Sequence, residues 1–175
     1  MPELRPALPD DAEAISAIFE QGIEDRVATF ESAAPDAGEW RRRLASGEEL
    51  VLVAEQDGHV IAFAVAGPYA DPHAYYAGIR EATMYVERGS RRRGVGLHLL
   101  NALAEAAAQR GLYKLVGKIL TTNEASIALV RECGFREVGV HLRHGRLDGE
   151  WKDVLVVERL LGDAADPGQP PGAVR

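Results

Sequence analysis

The stretch that could do chemistry runs from a strand pattern through a basic, glycine-bearing loop into a helix pattern. It reads Glu81-Ala82-Thr83-Met84-Tyr85-Val86, then Glu87 to Ser90, then Arg91-Arg92-Arg93-Gly94-Val95-Gly96-Leu97. The first turn of a helix leaves backbone N–H groups without intrahelical acceptors and carries a partial positive charge, so an anion placed there is held by both. Glycine at 94 and 96 lets the main chain approach a ligand with no Cβ in the way. Three arginines concentrate positive charge at the same point. The chemistry on offer is phosphate or pyrophosphate binding, next to a strand that carries the carboxylate of Glu81.

Two nucleotide motifs fail on residues. A P-loop needs Gly-Lys-Ser or Gly-Lys-Thr, and the chain has neither. A dinucleotide loop needs a third glycine, but Gly96 is followed by Leu97-His98-Leu99. The region about twenty residues on, Lys114 to Lys118, lacks the acid that would bind a ribose. What remains is R-x-x-G-x-G, Arg91 to Gly96. A second segment accompanies it: Thr121-Thr122-Asn123-Glu124-Ala125-Ser126 followed by Arg131-Glu132-Cys133-Gly134-Phe135. Together they resemble the pyrophosphate loop and the following strand-to-helix signature of the GNAT acetyltransferase superfamily.

The resemblance narrows to the phosphinothricin and arsinothricin N-acetyltransferases. It is carried by Gly22 to Phe30, Ala66-Gly67-Pro68-Tyr69, Glu81 to Val86, Asn123 to Ser126 and Trp151-Lys152-Asp153-Val154, and covers roughly residues 3 to 160. It implies a GNAT fold of the α/β (α+β) class, acetyl-CoA as co-substrate without a metal, and acetyl transfer to the α-amine of a small toxic amino acid of the phosphinothricin, arsinothricin or methionine sulfoximine type. It implies resistance as the outcome and a homodimer as the assembly. By the same resemblance Glu81 is the base, acting through a water. Met84, Tyr85 and Val86 offer strand backbone to the pantetheine arm. Arg91, Arg92, Arg93, Gly94, Val95, Gly96 and Leu97 hold the pyrophosphate, and Asn123 and Ser126 meet the pantetheine or cap the helix. Arg26, Thr29, Phe30, Tyr75, Arg80 and Thr83 are the candidate substrate contacts.

The demand on the base is modest. An amine with a reference pKa near 8 is roughly one-tenth neutral at pH 7, so deprotonation accounts for about 1 to 2 kcal/mol of the barrier, while positioning can supply several more. A partly buried carboxylate is a better base than an exposed one.

Three departures qualify the resemblance. Where many members place a tyrosine or histidine before Gly134-Phe135 to protonate the leaving thiolate, this chain has Val130. Where related enzymes have a Lys-His-Gly run before the Trp, it has Leu147-Asp148-Gly149. The thiolate would then leave to solvent or take a proton from Tyr85 or a histidine such as His144. The arginine that often follows the Gly-Pro-aromatic turn is also missing from Ala70 to Tyr76, so Arg80 or Arg26 would have to pair the substrate anion. Two other functions share the cofactor half of the site: a protein N-terminal or lysine acetyltransferase, and a catalytically silent acetyl-CoA sensor.

The elements that must position these residues alternate in period. Leu4 to Ala7 is a short strand, Asp10 or Asp11 caps a helix through Ile15, Ile18 and Phe19, and Asp36 opens a second helix through Trp40 and Leu44. Leu50 to Glu55 and Val60 to Ala66 flank Gln56-Asp57-Gly58-His59, a hairpin signal. Ile79 to Glu87, a helix from Gly94 to Arg110 stopped at Gly111, Leu112 to Leu120, a helix from Asn123 to Gly134, Phe135 to Leu142 and Trp151 to Leu160 complete the order β-α-α-β-β-β-α-β-α-β-β. That order implies a single-domain, mostly antiparallel mixed central sheet flanked by helices, with one crossover from Ile79 to Leu120. The apolar strand Asp153 to Leu160 is expected near an edge available to a second copy.

Composition closes off other classes. The 175 residues suit one domain, 1–162, with Asp163 to Arg175 a disordered tail rich in proline and glycine. A net charge of −7 argues against nucleic acid and anionic membranes as partners. Cys133 is the only cysteine, and His98, His141 and His144 lack i, i+4 spacing, which argues against a disulfide or a metal site. An acidic, proline-bearing start and no run of about 20 apolar residues point to a cytoplasmic protein.

Overall fold

The computed structural model describes residues 1–165. Seven strands and four α-helices follow the expected order: β1 Glu3–Pro6, α1 Ala12–Glu24, α2 Ala37–Ser46, β2 Leu50–Gln56, β3 His59–Pro68, β4 Ile79–Val86, α3 Val95–Gln109, β5 Lys114–Leu120, α4 Glu124–Glu132, β6 Arg136–Leu147 and β7 Glu150–Leu160. The strands form one sheet in the order β1-β2-β3-β4-β5-β7-β6. Every neighbouring pair is antiparallel except β4 with β5, the pair joined by the α3 crossover.

Local chemistry accounts for the turns. Asp57 and Gly58 take φ of 53° and 77°, and Asp148 and Gly149 take 52° and 82°. Two successive left-handed residues match the twist of the strands they join, so each Asp-Gly pair closes a tight hairpin. Asp36 caps α2 by accepting the Glu39 N–H at 2.8 Å. Asp11, expected to cap α1, instead accepts the Leu8 N–H at 2.7 Å and two N–H groups of Arg5 at 2.7 and 2.9 Å. That bidentate guanidinium, with the Leu8 N–H behind it, outweighs burial and holds the Asp11 carboxyl below the usual carboxylate range. Arg5 also reaches Glu55, so β1, the start of α1 and β2 are joined at one point.

Both faces of the sheet are covered, which is why β2 and β3 are apolar almost without interruption. On one face α1 and α2 pack Ile15, Ile18, Phe19, Ile23 and Trp40 onto Val51, Val53, Phe63, Val65 and Tyr85. On the other α3 packs Val95, Leu99, Leu100 and Leu103 onto Leu52, Ala54, Ala62, Ala64 and Leu115.

Two expectations about the strands are corrected. The strand expected at Asp153 to Leu160 does not lie at an edge: β7 is inserted between β5 and β6, because its two faces bury Val154, Leu155 and Val157 and an interior strand is where both faces are covered. The edge is β6, which runs to Leu147 instead of Leu142. Its last residues, Arg143-His144-Gly145-Arg146-Leu147, are mostly polar, and an irregular register between His141 and Gly145 breaks the alternation set by Val138, Val140 and Leu142. The tail expected from Asp163 begins as a short 3-10 turn, Gly162–Ala165, and its remainder, 166–175, lies outside the described residues.

Candidate functional site

The parallel pair at the centre of the sheet is short. β4 and β5 are in register only over Ile79–Glu81 with Lys114–Val116. Past that point β4 continues along β3 and β5 continues along β7, so the two strands part. A cleft of about 450 Å³ opens between them, lined by Glu81 to Tyr85 on one side and Gly117 to Leu120 on the other.

The backbone of β4 presents hydrogen-bonding groups to this gap. The Glu87 N–H donates to the Ile61 carbonyl at 2.9 Å, which makes Glu87 and Ile61 a hydrogen-bonded antiparallel pair. Because such pairs alternate, Met84 and Val86 turn their N–H and C=O groups away from β3, toward the space that β5 has left. The Val86 carbonyl accepts from Arg91 Nε at 2.9 Å. Side chains alternate as well: Ala82, Met84 and Val86 face α3, and Tyr85 joins the α1/α2 core.

At the mouth of the gap stands the start of α3. Gly94, at φ 80°, turns the chain into the helix, and the first intrahelical bond runs from His98 N–H to the Gly94 carbonyl. The N–H groups of Val95, Gly96 and Leu97 therefore have no acceptor within the helix. No acidic residue occupies this first turn, where one would compete with an incoming anion for the helix dipole. A Cβ at Gly96 would lie 3.1 Å from Met84 Cε and 3.2 Å from Leu129 Cδ2, so glycine there lets α3 approach both β4 and α4. Arg91 is spent on the loop itself: it bonds the Val86 carbonyl and, at 2.6 Å, Asp25. Arg88 reaches the same carboxylate and Glu24. Burial pushes Asp25 up, but the hydrogen bonds from Arg91 and Arg88 outweigh it and hold the carboxyl below its ordinary range. Arg92 and Arg93 are exposed.

Across the gap, Asn123 caps α4 by accepting the Ser126 N–H at 3.1 Å, and both residues line the cleft. Val130 lines it too, an apolar side chain with no proton to give. On the α1/α2 side the walls are Thr29, Phe30 and Glu31 from the loop after α1, and His144 from β6, whose ring stacks on His141 at 4.5 Å. Tyr85 is buried between Phe19 and Phe63. Burial raises its phenol above the ordinary value against a hydrogen bond with Thr29, so it stays protonated at neutral pH.

The structure thus brings Glu81, Thr83, Met84, Tyr85, Asn123, Ser126, Thr29 and Phe30 to one cleft. Three of the candidate substrate contacts lie outside its lining. Arg26 forms a two-point ion pair with Asp148 across the hairpin turn, Nε to Oδ2 at 2.9 Å, and holds that carboxyl below the usual range. Arg80 donates to the carbonyls of Ala77 and Ile79 at 2.8 and 2.9 Å. Tyr75 is 67% exposed and stacks on His73. The residue that sequence reasoning missed is Lys118, whose Nζ lies 3.0 Å from Glu81 Oε2. Its signal was a lone charge inside the apolar run Leu115 to Leu120, readable only once β4 and β5 are known to lie side by side. Among the described residues no group of three His, Cys, Asp or Glu side chains is placed to hold a metal ion, and no helix is long and apolar enough to cross a membrane.

The model of the acetyltransferase (GNAT) family matches residues 16–135. A phosphinothricin N-acetyltransferase of Alcaligenes faecalis is 34% identical over an alignment of 166 residues that covers 90% of this chain and 83% of that protein. A phosphinothricin acetyltransferase from Sinorhizobium meliloti, solved in complex with AcCoA, has a TM-score of 0.87 and 28% identity over 97% of this chain and 92% of its own. A ribosomal-protein-alanine N-acetyltransferase from Brucella melitensis has a TM-score of 0.85 and 32% identity over 91% of this chain and 99% of its own.

Proposed function

Since the chain belongs to the acetyltransferase (GNAT) family, and so is an acetyl-CoA-dependent N-acetyltransferase, we propose that it acetylates the α-amine of a small toxic amino acid of the phosphinothricin, arsinothricin or methionine sulfoximine type and thereby confers resistance to it. The observation that carries this reading is the cleft between β4 and β5, with a backbone ladder and a helix start on its cofactor side and the Glu81–Lys118 pair on its acceptor side.

The residues present fit acetyl-CoA. The N–H groups at the start of α3, with Arg92 and Arg93 beside them, would hold the pyrophosphate. Arg91 acts by pinning the loop. Met84 and Val86 would pair with the amides of the pantetheine arm as a strand does, and Asn123 and Ser126 would flank it. Acetyl-CoA, when bound, supplies an activated acyl thioester. The acceptor nitrogen attacks only after its ammonium proton has gone, and Glu81, directly or through one water, is the carboxylate placed on β4 to take it. A backbone N–H of β4 facing the gap, such as that of Met84, would stabilise charge developing on the thioester oxygen. Of the groups weighed as donors to the departing thiolate, both His144 and Tyr85 line the cleft.

Phosphinothricin in the names of the relatives from A. faecalis and S. meliloti supports the substrate class. A second reading, acetylation of a protein N-terminus, is favoured by the name of the B. melitensis protein. Expression of the chain in a phosphinothricin-sensitive bacterium separates the two. Protection by the native chain, absent with Glu81→Gln, is the expected result. No protection against phosphinothricin, arsinothricin or methionine sulfoximine from a well-expressed chain refutes the resistance role.

Two copies are proposed to pair through the β6 edge. Val138, Val140 and Leu142 are 51%, 49% and 75% exposed there, and Trp151, opposite Arg146 further along the β6–β7 pair, is 52% exposed, apolar edge residues of the kind a second chain covers. Light scattering on the purified protein should give twice the monomer mass, and a Leu142→Lys variant a lower one. A monomer at micromolar concentration overturns the pairing.

A further inference from the structure

Among the described residues that line the cleft, Lys118 is the one lysine or arginine. The arginines weighed above for the substrate anion and the loop are engaged elsewhere: Arg26 by Asp148, Arg80 by two backbone carbonyls, and Arg91 by Asp25 and the Val86 carbonyl. Lys118 meets Glu81 alone among the hydrogen bonds formed by described residues, at 3.0 Å, and the two side chains are 40% and 29% exposed, open to the space an acceptor must enter.

A free α-amino acid carries its ammonium and carboxylate on the same carbon, so its opposite charges are about 3 Å apart. That matches the Glu81–Lys118 pair with the signs reversed. An acceptor whose ammonium comes to Glu81 brings its carboxylate to Lys118, and one ion pair becomes a closed ring of two. Neither charge of the α-amino-acid head is left unpaired as water leaves the cleft. A peptide N-terminus has an amide where the carboxylate would be and cannot complete the ring.

We propose that Lys118 binds the α-carboxylate of the acceptor, and that this contact selects free amino acids over peptide N-termini. The proposal rests on the amino-acid reading above. On binding, Lys118 transfers its hydrogen bond from Glu81 to the acceptor carboxylate, and the Glu81 carboxylate is freed to receive the ammonium proton.

The test compares phosphinothricin with its α-carboxamide as acceptors for the native enzyme, Lys118→Met and Lys118→Arg, after checking that all three bind acetyl-CoA and melt alike. The native enzyme should prefer the acid. In Lys118→Met, kcat/KM for the acid should fall about 10- to 100-fold, mainly through KM. The carboxamide should change by less than about threefold, and Lys118→Arg should recover part of the preference. An equal fall for acid and carboxamide would mean that Lys118 merely tethers Glu81. Rates unchanged for both acceptors would mean that another group reads the carboxylate. Either sinks this proposal and leaves the amino-acid reading standing, whereas a native enzyme silent with the acid and active on a peptide removes both.

Discussion

Glu81→Gln should lower kcat/KM for the amino-acid acceptor about 100-fold at pH 7 while leaving acetyl-CoA binding and the fold intact. The amide keeps the shape of the carboxylate and still accepts from Lys118, but it cannot take a proton. The exposed ion pair it replaces is worth about 1 kcal/mol or less to folding, so the melting temperature should scarcely move. The deficit should also shrink as pH rises. An α-amine has a reference pKa near 8, raised further by an adjacent carboxylate, so in alkaline solution a growing share of the acceptor arrives already neutral and needs no base. The measurement is kcat/KM for the native enzyme and the variant between pH 6 and about 9.5. A gap that stays constant across that range would assign Glu81 to acceptor binding alone.

The second large effect is expected on the cofactor side. Gly96 sits where α3 meets both β4 and α4, with Met84 Cε and Leu129 Cδ2 already 3.1 and 3.2 Å from the place a Cβ would take. Gly96→Val adds a branched side chain to that contact. Met84 and Leu129 can yield a few tenths of an ångström, and the rest must come from movement of the first turn of α3, whose N–H groups would hold the pyrophosphate. Overpacking of this kind costs about 1 to 3 kcal/mol, and acetyl-CoA affinity should fall about 10- to 100-fold. Gly89 lies in the same loop with nothing within 4 Å of an added Cβ, so Gly89→Val should leave affinity within about threefold of native. Calorimetric titration with acetyl-CoA reads both variants, and equal losses in the two would show that the contact at Gly96 is not what shapes the site.

What could be read along the chain was local. The Asp57-Gly58 turn, the Asp36 and Asn123 caps and the left-handed stops at Gly111 and Gly134 each depend on a few neighbouring residues, and each stands where periodicity and turn chemistry place it. The strand-loop-helix from Glu81 to Leu97 is legible for the same reason. What could not be read depended on register or on distant partners. Glu81 and Lys118 are 37 residues apart and meet only because β4 and β5 run side by side. Arg26 looked free to pair a substrate anion until Asp148, 122 residues away, is found holding it. The position of β7 inside the sheet follows from its burial on both faces, a property its apolar run shares with an edge strand awaiting a partner. Asp11 shows the reverse: a good helix-cap residue, diverted because Arg5 and the Leu8 N–H offered it more hydrogen bonds than α1 did.

The central claim is that the acceptor is the α-amine of a free small amino acid. It is tested most directly by thiol release from acetyl-CoA at saturating cofactor, with phosphinothricin, arsinothricin and methionine sulfoximine set against glutamate and an alanine-headed peptide. The account predicts saturable turnover with one of the first three at a kcat/KM at least about 100-fold above that of the peptide. Turnover with the peptide and none with the amino acids would contradict it.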